Sequence, residues 1–134
     1  MNKILLIITG SIAASRCKEI IALLNINEVK ISCILTKEAK KYVKISDIKK
    51  LLKNRIFTDE DEKKNKMLHI NLSRDNDIIV VCPATANSIA KFANGYGDNL
   101  ASNTLLASNK KILFVPAMNS FMWHNKINQK NVRL

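Results

Sequence analysis

Residues 112–119 of the chain are Ile112-Leu113-Phe114-Val115-Pro116-Ala117-Met118-Asn119. The first four have the length and the β-branched and aromatic content of a buried strand. Pro116 ends such a strand, because it has no N–H for the ladder and restricts the residue before it. In a parallel α/β sheet, ligands bind beyond the carboxyl ends of the strands, and the amide of Asn119 can both donate and accept there. The stretch predicts either a ligand-binding strand end or a simple exit from strand to loop.

The start of the chain follows the same design. Residues 4–8 are a continuous apolar run, typical of a strand buried on both faces of a parallel sheet. Gly10 and Ser11 turn the chain, and apolar residues at helical spacing predict a helix over residues 12–24. Such a turn directs backbone N–H groups and the positive end of the helix dipole at one point, which suits a phosphate. It contains one glycine and no GxGxxG fingerprint, so a tight turn without a ligand is the alternative.

Further strands and helices alternate along the rest of the chain. Apolar runs predict strands over residues 29–35, 77–83 and 110–115. Helices are predicted over residues 37–43, 48–52 and 99–107, with a further helix ending at residue 93 and another beginning near residue 124. The expected N-caps are Thr36, Ser46 or Asp47, and Asp98, although the Thr36 hydroxyl could face a ligand instead. Residues 57–66 are predicted to be a charged surface loop.

This alternation predicts an α/β fold with a doubly wound parallel sheet, a Rossmann- or flavodoxin-like arrangement of three α/β/α layers. At 134 residues the chain is expected to form a single domain. After the strand over residues 77–83, the turn Ala84-Thr85-Ala86-Asn87-Ser88 repeats the design of the N-terminal turn. It predicts a second anion site at the same edge of the sheet.

Composition argues against several classes of function. No apolar run approaches the roughly 18–20 residues of a membrane helix, and residues 4–8 are better interpreted as a first strand than as part of a signal peptide. The chain is therefore interpreted as cytoplasmic, without a membrane partner. The net charge is +11, but the one Trp, two Tyr and four Phe do not interleave with the lysines as a nucleic-acid stacking platform would require. A basic surface that attracts phosphorylated small molecules is favoured over nucleic-acid binding.

The cysteines and histidines give weaker signals. Cys17, Cys33 and Cys82 are an odd number without CxxC spacing, and each lies in an apolar segment. They are expected to be buried, reduced thiols, with neither a disulfide nor a metal site. His69 is one of two histidines and lies in the half-apolar segment Met67-Leu68-His69-Ile70-Asn71-Leu72. A packed or surface histidine and a catalytic base are both open at this point.

Taken together, several motifs in order resemble the flavin-dependent cysteine decarboxylase family, and they extend across nearly the whole chain. The matching residues are Gly10-Ser11-Ile12-Ala13-Ala14, Thr36-Lys37, His69-Ile70-Asn71-Leu72, Pro83-Ala84-Thr85-Ala86-Asn87, Gly97-Asp98-Asn99-Leu100, and Pro116-Ala117-Met118-Asn119 with Met122-Trp123. The last motif, together with the histidine, is similar to the branch that acts on phosphopantothenoylcysteine in coenzyme A synthesis.

The resemblance implies FMN as cofactor, bound between the subunits of a homotrimer. It implies that Gly10, Ser11 and Ile12 hold the phosphate together with Thr85, Ala86, Asn87 and Ser88, and that Thr36 and Ala117 line the flavin site. These are the two turns that the residues alone predict as anion sites. The apolar cluster Phe121-Met122-Trp123 would lie near the subunit interface, with core packing as the alternative.

The resemblance also implies a reaction. His69 matches the catalytic histidine, a base near the substrate cysteine, and Asn119 matches the residue that contacts the substrate carboxylate. Decarboxylation of a cysteine leaves an unstabilised carbanion, and oxidation of the thiol to a thioaldehyde by FMN supplies the electron sink. The resulting enethiolate is then protonated and reduced by the flavin to give 4′-phosphopantetheine.

Where the family continues past its counterpart of Leu134, it adds another strand and a flap that carries a cysteine. In the family that cysteine takes part in the final reduction, and none of the three cysteines here matches its position. Residues 1–134 are therefore expected to support the oxidative half-reaction but not the reductive one. Residues 1–134 are therefore interpreted as the flavoprotein domain without the final strand and flap, which would expose a sheet edge. Two other functions remain open: a non-catalytic FMN-binding regulatory or assembly subunit, and a flavin prenyltransferase-like protein, which His69 and Met122-Trp123 disfavour.

Overall fold

The structure, a computed structural model, describes residues 3–53 and 55–134. Within these ranges, five strands form one sheet: β1 Lys3–Ile8, β2 Lys30–Leu35, β3 Ile56–Phe57, β4 Ile78–Ala84 and β5 Lys111–Pro116. The α-helices in the same ranges are α1 Cys17–Ile26, α2 Ile45–Leu52, α3 Asp59–Lys64, α4 Leu68–Arg74, α5 Ala86–Ala93, α6 Leu100–Ala107, α7 Ser120–His124 and α8 Lys126–Arg133. Short 3₁₀ helices span Ile12–Arg16 and Ala39–Lys41. No helix in the described ranges is long and apolar enough to cross a membrane.

The sheet is parallel throughout, with the strand order β3-β2-β1-β4-β5. From β1 the chain adds β2 and β3 on one side, and then β4 and β5 on the other. The direction of winding therefore reverses between β1 and β4, which are neighbours through pairs such as Ile7 with Val81. The prediction of a doubly wound α/β sheet is confirmed. A reversal of this kind opens a crevice at the carboxyl ends of the two strands.

Both faces of the sheet are covered, which explains why its strands are continuously apolar. Leu6 and Ile8 pack with α1 and α2 on one face, whereas Leu5 and Ile7 pack with α4, α5 and α6 on the other. All four side chains are at most 1% exposed. Successive residues of a strand point to opposite faces, so a strand between two helical layers needs apolar residues at every position.

In two of the predicted helices, all or part of the segment is a 3₁₀ turn rather than an α-helix. The helix predicted over residues 12–24 begins as the 3₁₀ turn Ile12–Arg16, in which Ala14 N–H donates to Ser11 C=O over 2.9 Å, and continues as α1 to Ile26. The helix predicted over residues 37–43 is only the 3₁₀ turn Ala39–Lys41. Tight turns of this type are common where a helix starts or where a connection is too short for a full α-helix.

The prediction of a surface loop over residues 57–66 is wrong. Phe57 belongs to β3, and Asp59–Lys64 is α3. Thr58 begins this helix with a capping box, in which the Asp61 carboxylate accepts from Thr58 N–H over 2.8 Å. Acidic residues fill the first turn and lysines the last, as the helix dipole favours.

Three boundary predictions are also corrected. Pro83 lies inside β4, where the register with β5 shifts between Val81 and Ala84, so the ladder does not need its missing N–H. Helix α2 starts at Ile45 with Lys44 as N-cap, which places Ser46 and Asp47 inside its first turn. The N-cap of α6 is Asn99 rather than Asp98, since its Oδ1 accepts from Ser102 N–H over 2.8 Å.

Candidate functional site

A cavity of about 720 Å³ opens at the carboxyl ends of β1 and β4, where the winding of the sheet reverses. This volume is within the usual range for small-molecule sites. Its wall includes ten of the eleven residues predicted for the site: Gly10, Ser11, Ile12, Thr36, Thr85, Ala86, Asn87, Ser88, Ala117 and Asn119. Segments that follow β1, β2, β4 and β5 thus meet at one place.

The turn after β1 is closely packed. A Cβ at Gly10 would overlap the Cβ of Glu38 and lie 3.1 Å from the Glu38 carbonyl carbon, so glycine is needed for this approach. Ser11 is the N-cap of the following 3₁₀ helix, and its Oγ accepts from Ala13 N–H over 3.2 Å. The Thr9 hydroxyl donates to Pro83 C=O, which joins the ends of β1 and β4. The turn after β1 is therefore held by the segment after β2 through Glu38 and by the end of β4 through Pro83.

The turn after β4 has a similar design. Thr85 is the N-cap of α5: its Oγ1 accepts from Ser88 N–H over 3.1 Å and lies 2.8 Å from Ser88 Oγ. Ala86 and Asn87 follow the cap, in the first turn, where backbone N–H groups have no acceptor within the helix. The cavity wall therefore combines two helix starts, at Ser11 and at Thr85, whose hydroxyl groups and first-turn N–H groups favour an anion.

Thr36 joins the end of β2 to the end of β1. Its hydroxyl donates to Ile8 C=O over 3.2 Å and accepts from Ala39 N–H over 3.3 Å. The prediction of Thr36 as an N-cap is corrected: the 3₁₀ turn Ala39–Lys41 has Glu38 as its N-cap, although the Thr36 hydroxyl still accepts from the first N–H of that turn. The side chain is nevertheless part of the cavity wall, so its methyl group and its backbone could still contact a ligand.

The stretch after β5 reaches the cavity through Ala117 and Asn119. Ala117 N–H donates to Ala84 C=O over 3.1 Å, which holds this exit against the end of β4. Asn119 is the N-cap of α7, and its Oδ1 accepts from Met122 N–H over 2.9 Å. The side chain is exposed, and its Nδ2 makes no hydrogen bond to the described residues. The amide N–H groups of Asn119 are thus available to an acceptor in the cavity.

The remaining wall contains apolar side chains, with charged side chains at its rim. Ile7, Val81, Leu105, Met118 and Met122 supply the apolar surface. At the rim are Lys37, Glu38 and Lys91, whose proximity to a ligand was not predicted individually.

One of these rim lysines is already paired. Lys91 Nζ lies 3.0 Å from Asp98 Oδ2, and the hydrogen bond from Lys91 lowers the pKa of the Asp98 carboxyl. Lys37 has no acidic partner among the described residues, so it remains available to an anion.

His69 is the one predicted site residue that does not line this cavity. It lies on α4, which packs against α6, and it is absent from the described residues that line the cavity. Ala101, Ser102 and Leu105 of α6 do line the cavity, so α6 stands between it and α4. The imidazole Nδ1 instead lies 3.6 Å from Oε2 of Glu62.

The surface around the cavity is unusually apolar. Phe121 is 89% exposed, Ile12 80% and Met122 44%, and Ile12 and Met122 also line the cavity wall. Core packing, the alternative considered for Phe121-Met122-Trp123, is therefore wrong for Phe121 and Met122. Exposed apolar side chains grouped in this way mark an interaction surface more often than scattered ones do.

The three cysteines are free thiols within the core on the α1 and α2 face of the sheet. Burial raises the pKa of the Cys17 thiol to about 12 and also raises the pKa of Cys33 and Cys82. Cys17 Sγ donates to Cys82 C=O over 3.3 Å. These thiols are not poised as nucleophiles. Within residues 3–53 and 55–134, no three His, Cys, Asp or Glu side chains are grouped as metal ligands.

The cavity lies at the switch point of the sheet, where the winding reverses between β1 and β4. A doubly wound fold with two helix starts and apolar side chains around such a cavity is typical of proteins that bind phosphorylated, partly apolar ligands. The chain belongs to the Flavoprotein family, whose model matches residues 1–134. This family indicates a flavin cofactor.

Individual relatives agree with the family. The chain is 31% identical to the probable phosphopantothenoylcysteine decarboxylase of Streptococcus mutans, over 99% of this chain and 76% of that protein. It is 34% identical to the bifunctional coenzyme A biosynthesis protein CoaBC of Haemophilus influenzae, over 93% of this chain and 32% of that protein. Among solved structures, the FMN-dependent cysteine decarboxylase SpaF matches with a TM-score of 0.90 at 30% identity, over 98% of this chain and 77% of that one. The chain is thus a homologue of cysteine decarboxylases and spans only part of the length of each.

Proposed function

We propose that the chain binds FMN in the switch-point cavity and forms the flavin site of a carboxy-lyase. The reaction is decarboxylation of 4′-phosphopantothenoylcysteine to 4′-phosphopantetheine in coenzyme A biosynthesis. The observation that carries the proposal is the cavity itself, whose wall combines two helix starts with apolar side chains. The name of the Streptococcus mutans relative supports the substrate, and the reduced thiols of the core are in keeping with a cytoplasmic protein.

The residues of the cavity fit FMN. Backbone N–H groups at Ile12, Ala86 and Asn87, together with the hydroxyls of Ser11 and Ser88, are suited to the phosphate. The apolar wall, with Thr36 and Ala117 at its edge, suits the flat ring system of the flavin. A Cβ at Gly10 would overlap the Cβ of Glu38, so the turn proposed to hold the phosphate is packed closely against the segment that follows β2.

The chain's own residues orient the substrate. Bound FMN supplies a two-electron acceptor for the substrate thiol, which provides the electron sink that loss of CO₂ requires. In this proposal the free N–H groups of Asn119 donate to the substrate carboxylate, while its Oδ1 is held by Met122 N–H. A side chain fixed in this way presents its donors without a further loss of conformational freedom.

The proposal includes a homotrimer, in which a neighbouring subunit supplies His69. Two observations support it: α6 separates His69 from the cavity of its own chain, and the exposed side chains of Ile12, Phe121 and Met122 lie beside that cavity. At the neighbouring cavity, the imidazole would hold and release a proton at the substrate thiol. Light scattering in the presence of FMN tests this part, and a monomeric mass would contradict it.

A second candidate function is a non-catalytic FMN-binding subunit that regulates or assembles with a partner. The separation of His69 from the cavity within one chain favours it, because flavin binding does not need His69. The two functions differ in whether the bound flavin reacts with the substrate.

Visible absorbance distinguishes them. The purified chain is loaded with FMN, and phosphopantothenoylcysteine is added without oxygen. The decarboxylase proposal predicts loss of the yellow colour and release of CO₂. In the His69→Asn variant, we expect FMN to remain bound and CO₂ release to be abolished. A yellow protein that keeps its colour would favour the non-catalytic subunit, and a colourless protein that cannot be loaded with FMN would contradict both.

A further inference from the structure

Glu62 of α3 faces His69 of α4 in a partly enclosed position. Its Oε2 lies 3.6 Å from His69 Nδ1, and the two side chains are only 22% and 27% exposed. The Nδ1 atom itself is buried and has no hydrogen-bond partner among the described residues. A buried ring nitrogen without a partner is costly, and most such atoms find one. A small rotation of either side chain would close the distance to Glu62.

The Glu62 carboxylate is held from its other side by α6. Asn103 Nδ2 lies 3.3 Å from Oε1 and 3.4 Å from Oε2 of Glu62. Asn103 has room because residue 97 is a glycine: a Cβ there would lie 2.5 Å from Asn103 Oδ1. A second contact joins the same helices, since Asp59 Oδ1 accepts from Leu100 N–H over 3.0 Å. The Glu62 carboxylate of α3 is therefore held by a side chain of α6 and faces the imidazole of α4.

A comparison within α3 shows that this contact differs from an ordinary surface ion pair. Glu60 lies 3.6 Å from Lys63, but those two side chains are 68% and 73% exposed. Exposed pairs of that kind contribute little and are screened by salt. Glu62, by contrast, is bound by an amide and faces a nitrogen that has no hydrogen-bond partner in residues 3–53 and 55–134.

We propose that Glu62 is a positioning residue for His69. Its carboxylate accepts from Nδ1–H, which fixes the neutral imidazole in one tautomer and leaves the lone pair on Nε2. When Nε2 takes a proton, Glu62 balances the charge of the imidazolium. Glu62 touches neither substrate nor cofactor in this role. The part of the proposal that concerns turnover rests on His69 being the base of the proposed decarboxylase, whereas the part that concerns the tautomer does not.

The tautomer is tested by ¹⁵N NMR of the imidazoles in the FMN-loaded protein, at a pH at which they are neutral. The chain has two histidines, so the spectrum of the His69→Asn variant assigns both. In the wild type we expect His69 with the proton on Nδ1, and in Glu62→Ala a shift of that proton towards Nε2. Asn103→Ala should produce a smaller shift in the same direction, because it frees the carboxylate without removing it. A wild-type spectrum dominated by Nε2–H, or one unchanged in Glu62→Ala, would overturn the proposal.

The rate of CO₂ release is the second readout, with Glu60→Ala as the matched control on the same helix. Glu62→Ala is expected to lower the rate of CO₂ release at saturating substrate by about 10- to 100-fold, the range found for partners that orient metal-bound histidines. The KM and the FMN affinity should stay near their wild-type values, and Glu60→Ala should match the wild type in all three. Equal losses in Glu62→Ala and Glu60→Ala would contradict a specific role for Glu62. If the wild type releases no CO₂, the decarboxylase proposal fails, and the NMR result still decides the role of Glu62.

Discussion

The substitution Gly10→Ala tests whether the turn after β1 has the packing on which the cofactor site depends. The added Cβ would overlap the Cβ of Glu38 and lie 3.1 Å from its carbonyl carbon, so a backbone segment rather than a flexible side chain must move. Overpacking of this kind costs about 1–3 kcal/mol. Alanine also lowers the conformational entropy of the unfolded chain, which stabilises the folded protein by about 0.4–1 kcal/mol. This gain applies because Gly10 does not have a left-handed conformation.

The free energy of unfolding should therefore fall by about 1–2 kcal/mol, and the Tm by about 3–8 °C for a chain of this size. Gly10 and Glu38 both line the cavity, so the same displacement should disturb the ligand. We expect the Kd for FMN to rise at least about 10-fold, which corresponds to about 1.4 kcal/mol.

Urea unfolding and a fluorescence titration with FMN measure the two effects. Gly95→Ala is the matched control: its Cβ would meet nothing within 4 Å, although its φ of 73° makes alanine strained. This control should lose about 1–2 kcal/mol of stability and keep its FMN affinity. A Gly10→Ala variant with wild-type stability and affinity would refute the packing argument. Equal affinity losses in both variants would mean that stability alone governs binding.

Three further predictions concern other parts of the molecule. Thr85→Ala should lower the free energy of unfolding by about 1 kcal/mol, because it removes the N-cap of α5. Thr85→Ser keeps the hydroxyl and should retain most of that stability. Equal unfolding midpoints in urea for the wild type and both variants would contradict the role of the cap. The hydrogen bond from Lys91 lowers the pKa of Asp98 below its usual 3.8. The pair therefore stabilises the fold above pH 3.8, and this stabilisation disappears as the pH falls through the lowered pKa of Asp98. Urea midpoints from about pH 5 to pH 2 should show this loss in the wild type and not in Asp98→Asn. Cys17 and Cys82 should react slowly with a thiol reagent at about pH 8 and fully after unfolding, because burial raises both pKa values; fast reaction in the folded protein would contradict this.

The long strands and the cavity could be predicted because their signals are local. The run over residues 4–8 and the run that contains Val81 are apolar at every position, which only a sheet covered on both faces requires. Parallel strands place their carboxyl ends at one edge. The turns at Gly10 and Thr85 therefore had to lie near each other once the strands were paired.

Short elements and contacts between helices could not be predicted in the same way. β3 consists only of Ile56–Phe57, which is too short for a periodic signal, and it stands beside the charged α3. The signal for α3 was present in Thr58 and Asp61, the capping box, but the run of charges suggested a loop. The pairing of Glu62 with His69 depends on how α3, α4 and α6 pack, and no spacing in the sequence encodes that.

The central claim is that the switch-point cavity binds FMN through its phosphate, at the helix starts after β1 and β4. Titrating the protein with FMN and with riboflavin, which lacks the phosphate, tests this most directly. The FMN phosphate would form charge-assisted hydrogen bonds with the N–H groups and hydroxyls of the two turns. We therefore expect FMN to bind at least about 10-fold more tightly than riboflavin. Equal affinities, or no binding of either flavin, would contradict the account.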